Sequence, residues 1–119
     1  MPLRRSLLLY LAFAGIGLFS PLQARPWIYV NGFTYDGGAE QCLKNAKRVL
    51  AKHGFTDELE IDQYKKGEKG GFVEGVLAGS PVRAVIECNG SEGITAFGVS
   101  GLDNDLTYEK YTKMFDEAW

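Results

Sequence analysis

The side chains that could do chemistry are few and mostly isolated. The chain holds one histidine, His53, and two cysteines, Cys42 and Cys88. A single imidazole excludes a two-histidine metal site, and two widely separated thiols do not make a Cys-x-x-Cys redox centre. Glu58, Glu60 and Asp62 recur at i, i+2 spacing, which puts three carboxylates on one side of a strand; with Lys65, Lys66 and Arg83 available, they read as a solvated or paired face. Asp103-Asn104-Asp105 opens like a calcium loop and then fails, because Tyr108 stands where the loop needs Gly and Met114 where it needs Glu. Gly67-Glu68-Lys69-Gly70-Gly71 is glycine-rich, but no helix follows it to complete a phosphate cradle, and there is no nucleophile-elbow motif. Asn89-Gly90-Ser91 is a glycosylation acceptor in a eukaryotic secreted chain and otherwise a turn. No catalytic residue, metal or cofactor is assigned.

The elements that must position these residues are legible from periodicity. Val82, Ala84, Ile86 and Cys88 alternate with Arg83, Val85 and Glu87, which predicts a strand with one buried face, opened by Pro81 and closed by Asn89-Gly90. Ala39, Cys42, Leu43, Ala46, Val49, Leu50 and His53 recur at spacings of three and four and predict a helix with one apolar stripe. Asp36, Gly37 or Gly38 caps its start, and Gly54 is placed to end it in the left-handed conformation. Lys44, Lys47, Arg48 and Lys52 lie away from the stripe as a solvated face, and His53 reads as a capping or edge-of-core residue. Cys42 on the apolar stripe and Cys88 on the buried strand face are expected to bond. On the chain-entropy account, a bridge closing so long a loop stabilises by about 4 kcal/mol.

The compartment follows from the start of the chain. Arg4 and Arg5 precede an uncharged apolar run from Leu7 to Phe19, then Ser20-Pro21 and a cleavage site at Leu22-Gln23-Ala24. This is the layout of a secretory signal peptide over residues 1–24, and the run is shorter than the roughly 20 residues a membrane-spanning helix needs; an uncleaved anchor is the alternative. What remains, 25–119, is one domain with 11 basic and 15 acidic residues. A net charge of −4 without a basic tract argues against nucleic-acid binding.

Further strands are expected at Glu58–Tyr64, Phe72–Ala78 and Ile94–Ser100, and a second helix over Leu106–Trp119. Asp105 is its expected cap, and Tyr108, Tyr111, Phe115 and Ala118 share one side. Short links favour consecutive antiparallel pairing. Trp27–Val30 is β-prone; Asn31-Gly32 then signals either a hairpin into Phe33-Thr34-Tyr35 or the end of a strand and an irregular lead-in. The fold class is therefore α+β: a four-stranded antiparallel sheet, with a possible extra N-terminal strand, packed by two helices on one face. Placing Glu74 outward sends Phe72 and Val76 outward too. If Ile94, Ala96 and Gly98 face the helices, then Phe97 and Val99 join Val85 on the open face. That face is too apolar for open water and invites a cover: the aromatic N-terminal segment with Trp27 and Tyr29, a second subunit or a partner; the opposite register of these two strands is the alternative and would remove that face.

Glu40-Gln41-Cys42-Leu43, His53-Gly54-Phe55, Val85-Ile86-Glu87-Cys88 and Ser100-Gly101 are the framework over 39–119. On them the layout resembles small uncharacterised exported bacterial proteins with two cysteines and an α+β fold. The resemblance implies a periplasmic or secreted location and an architecture, and carries over no active site. The expected role is a non-catalytic binding module, with inhibition of a secreted hydrolase as one form. A structural or self-associating envelope protein and a small carboxylate- or hydroxyl-based enzyme are the alternatives. Phe72, Val76, Val85, Phe97, Val99, Trp27 and Tyr29 are its candidate surface, and aspartate at Phe72 or Phe97 should abolish capture without unfolding the domain.

Overall fold

A computed structural model describes residues 25–117 and 119; the signal peptide expected over residues 1–24, and Ala118, lie outside them. Five strands and two helices follow in the order β1 (Trp27–Thr34), α1 (Ala39–Lys52), β2 (Asp57–Gln63), β3 (Gly70–Val76), β4 (Arg83–Asn89), β5 (Ile94–Gly101) and α2 (Asn104–Phe115). The strands form one antiparallel sheet in the order β1-β5-β4-β3-β2. The four-strand meander, with the N-terminal strand added beside β5, is the α+β architecture that the alternation patterns imply. Asn31-Gly32 makes no hairpin and ends no strand. The segment runs straight through, with Asn31 opposite Phe97 and Gly32 opposite Ala96, so β1 extends the sheet sideways instead of covering its open face.

Both helices pack on one face, α1 over β2, β3 and β4 and α2 over β1 and β5. The stripe of α1 is buried at Cys42, Leu43, Ala46, Val49 and Leu50, against Val73, Ala84, Ile86 and Cys88 from below. Gly54 has φ +89°, the left-handed turn that ends α1 and lets Phe55 fold into the core with no exposure. The close approach there is made by Gly75 of β3, where a Cβ would lie 2.6 Å from the Phe55 carbonyl oxygen. Cys42 and Cys88 are bonded, closing a separation of 46 residues and tying α1 to the centre of the sheet. Thr95, opposite Cys88 in the ladder, lies 3.1 Å from Cys42 Sγ; as the sulfur is bonded, the threonine hydroxyl is the donor.

Phe97 and Val99 do not lie on the open face. They are 3% and 0% exposed and pair with Ile86 and Ala84, so Thr95, Phe97 and Val99 face the helices and Ile94, Ala96 and Gly98 face outward. The cause is α2, whose Tyr111 stacks on Phe97 at 5.6 Å between ring centres, with Phe115 and Trp119 on its flanks. Three aromatic partners offer Phe97 more buried contact than open water or the small open-face neighbours could. The cap of α2 is Asp103, not Asp105: its carboxylate accepts from the Leu106 N–H at 3.1 Å. The helix accordingly starts at Asn104 and stops at Phe115, short of the expected end.

Candidate functional site

The open face of the sheet is built by alternation. Ladder register places Ile28 and Val30 of β1, Ile94, Ala96 and Gly98 of β5, Arg83, Val85 and Glu87 of β4, Phe72, Glu74 and Val76 of β3, and Glu60 and Asp62 of β2 on that side. Phe72, Val76 and Val85 are thus where the pattern put them; Phe97 and Val99 are not. Tyr29 points the other way, half-buried between Tyr108 and Tyr111 and hydrogen-bonded to the Asn104 side chain. Trp27 shares the helix-side parity of Tyr29 and is half exposed. The β1 residues that do reach the open face, Ile28 and Val30, are 64% and 69% exposed.

A shallow groove of about 210 Å³ crosses this face, with Val30, Phe72, Val85, Glu87, Ala96 and Gly98 among its walls. Gly98 supplies the floor. A Cβ there would sit 3.2 Å from Val30 Cγ1, so a larger residue would fill the depression. Tyr64 closes one end: its ring meets Phe72 edge-on at 5.5 Å and its hydroxyl donates to the Glu87 carboxylate. Partial burial, then the Glu87 carboxylate, push the Tyr64 phenol up to about 12. A phenol held that firmly is a fixed donor and not a base at neutral pH. Neither Tyr64 nor Glu87 stood out in the sequence; the spacing between them gives no local signal, and only the β2–β3 and β3–β4 registers together bring them into contact.

The rim is acidic. Glu60, Asp62, Glu74 and Glu87 share the open face, where Arg83 is the one cation on the strands among the described residues. Arg83 bridges Glu74 at 3.5 Å and Glu58 at 3.7 Å, exposed pairs that contribute little energy but leave net negative charge. A second depression of about 240 Å³ lies between these groups. Elsewhere, His53 pairs with Glu117 at 2.8 Å, and Lys52 reaches the same carboxyl at 2.8 Å. The Lys52 and His53 hydrogen bonds hold Glu117 below the usual carboxylate range, and Lys113 does the same for Glu109. Those shifts are opposite to what a general acid near neutrality needs. Asn89 accepts from the Glu92 N–H at 3.1 Å, closing the β4–β5 turn.

Among the described residues, no cluster of three or more histidine, cysteine or acidic side chains is arranged to hold a metal, and no helix is long and apolar enough to cross a membrane. Comparison with known protein families, with curated proteins and with solved structures finds no match for this chain.

Proposed function

We propose that the protein is an exported, non-catalytic binding module whose recognition surface is the open sheet face. The observation that carries this reading is the groove between Val30, Phe72 and Val85, apolar at its centre and rimmed by Glu74 and Glu87. Aromatic and aliphatic anchors in a depression supply affinity, and a charged rim supplies selectivity and speed of encounter. The partner that fits is a polypeptide segment offering one large apolar side chain flanked by lysine or arginine. Export to the periplasm or medium is supported by the Arg4-Arg5 and Leu7–Phe19 leader pattern and by the Cys42–Cys88 bond, since such bonds persist in oxidising compartments. Inhibition of a secreted hydrolase is one way to use such a face.

The test is a calorimetric titration with two synthetic peptides that share a central leucine, one flanked by lysines and one by glutamates. The lysine-flanked peptide is expected to bind, and Phe72→Ala or Val85→Lys to weaken it by roughly 30-fold or more, the loss typical of an anchor residue. Lys44→Glu on the solvated side of α1 is expected to leave binding unchanged. Equal binding of both peptides, or equal loss with Lys44→Glu, would contradict the proposal.

A further inference from the structure

β1 is an edge strand with features that edges normally suppress. From Trp27 to Thr34 it carries no charged residue and no proline, whereas edges are usually blunted by charge, proline or bulges because their unpaired N–H and C=O groups template another strand. Its inward groups can be identified. The Tyr35 N–H bonds the Gly93 carbonyl at 2.8 Å, continuing the β5 ladder, while the Gly32 N–H bonds the Asn31 side-chain oxygen at 2.8 Å. Odd-numbered residues therefore pair with β5, and Ile28, Val30, Gly32 and Thr34 turn their backbone groups to the free side. Among the described residues, most of the exposed large apolar side chains lie around this edge, Ile28, Val30 and Ile94 on the open side and Trp27, Tyr108 and Phe115 on the helix side, while Ile61, Val85 and Leu102 lie elsewhere.

We infer that this edge pairs with the same edge of a second copy, joining two sheets into one continuous antiparallel sheet about a two-fold axis. Charge selects this occupant. β5, the next strand in, is also uncharged, so the nearest open-face charges lie on β4. At roughly 4.8 Å per strand, the β4 charges of two copies stand more than about 20 Å apart, well beyond the screening length of about 8 Å in physiological salt. Two chains that are acidic overall can therefore meet here without repulsion, while a charged partner gains nothing from an uncharged edge. The strand required is uncharged, aliphatic on one side and aromatic on the other, and β1 itself meets that description.

Register follows from parity. Outward residues must pair with outward residues, and centring on Val30 sets Val30 against its own copy, Ile28 over the bare Gly32, and Trp27 beside Phe33. Centring on Asn31 would instead face amide against amide. In the Val30-centred ladder, the Gly32 N–H exchanges its Asn31 partner for the Ile28 carbonyl of the other copy. This pairing does not rest on the peptide-binding reading, although it would set two grooves side by side on one surface.

The experiment uses the protein exported with its own leader and purified with its disulfide intact, its mass measured by light scattering over a range of concentrations. The expected mass is twice that of the chain. Val30→Lys is expected to return it to a folded monomer, with an unchanged circular-dichroism spectrum and a melting point that no longer rises with concentration, and Val85→Lys to leave it dimeric. Val30→Cys is expected to cross-link to its own copy under mild oxidation, since directly paired Cα atoms near 5.5 Å suit a disulfide. Ile28→Cys is not, as its two copies are offset along the ladder. A monomer at every concentration, a dimer that survives Val30→Lys, or cross-linking through Ile28→Cys alone would each overturn the inference. So would a monomer that retains residues 1–24 and cross-links them to β1.

Discussion

β2 and β1 both end the sheet, yet β2 carries Asp57, Glu58, Glu60 and Asp62 whereas β1 carries no charge at all. β2 is also irregular. Its ladder to β3 slips between Asp57 and Glu60, and Glu58 sits at φ +51°, a left-handed conformation that costs a non-glycine residue of the order of 1 kcal/mol. Charge, bulge and strain together spoil β2 as a template for another strand. The stability spent on that edge has no counterpart at β1, where the backbone is regular over eight residues. The chain thus guards one edge of its sheet and leaves the other without such protection.

The two sides are also held down differently, and this yields the largest expected effect. The β2 side is stapled by Cys42–Cys88 beneath α1; the β1 side depends on Phe97 stacked under α2. Phe97→Ala should therefore cost about 3–5 kcal/mol, and Phe97→Asp, which buries a charge without a partner, should prevent folding even with the disulfide formed. Val85→Lys, one strand away on the open face, should cost less than about 1 kcal/mol. Thermal melts of the oxidised variants decide the matter: a folded Phe97→Asp protein would return Phe97 to the open surface and erase the contrast between the two sides.

A smaller effect should come from Tyr64, which closes the groove at the end of β2. Its folded value of about 12 lies above the ordinary 10.0. A raised folded value means that its stabilising contribution is complete below about pH 10 and is lost as pH rises through 12. Phenolate absorbance should show a step near pH 12 that Tyr64→Phe removes. Glu87→Gln should bring it only part of the way back, because burial, the largest single cause, remains, and Tyr64→Phe should remove the alkaline loss of stability. The absence of a step near pH 12 that depends on Tyr64 would show that the Tyr64–Glu87 contact does not persist in solution.

Much of this architecture can be read from the chain because single faces are strongly marked. The alternation in Val82–Cys88 and the stripe from Ala39 to Leu50 each have one apolar side, so their burial and the Cys42–Cys88 bond follow. β5 is different: Ile94, Ala96 and Gly98 on one side and Thr95, Phe97 and Val99 on the other are both uncharged, and period-2 alternation cannot choose between them. The choice is made by α2, through Tyr111 and Phe115, which is a tertiary effect. The same holds for β1. Asn31-Gly32 has the local chemistry of a hairpin, but Asn31 Nδ2 donates to the Tyr111 hydroxyl at 3.0 Å and its oxygen takes the Gly32 N–H, satisfying the pair inside a straight strand. The groove required Phe72, Tyr64 and Glu87 to be combined with Val30 from a strand far away in sequence, and no local pattern carries that information.

Hydrogen exchange of the exported, disulfide-bonded protein, followed amide by amide at increasing protein concentration, puts the difference between the edges to its most direct test. The amides of Ile28, Val30 and Gly32 should gain protection as concentration rises, while those on the outer side of β2 exchange at a constant rate throughout. Concentration-independent exchange along β1, or protection that grows along β2 instead, would contradict the account.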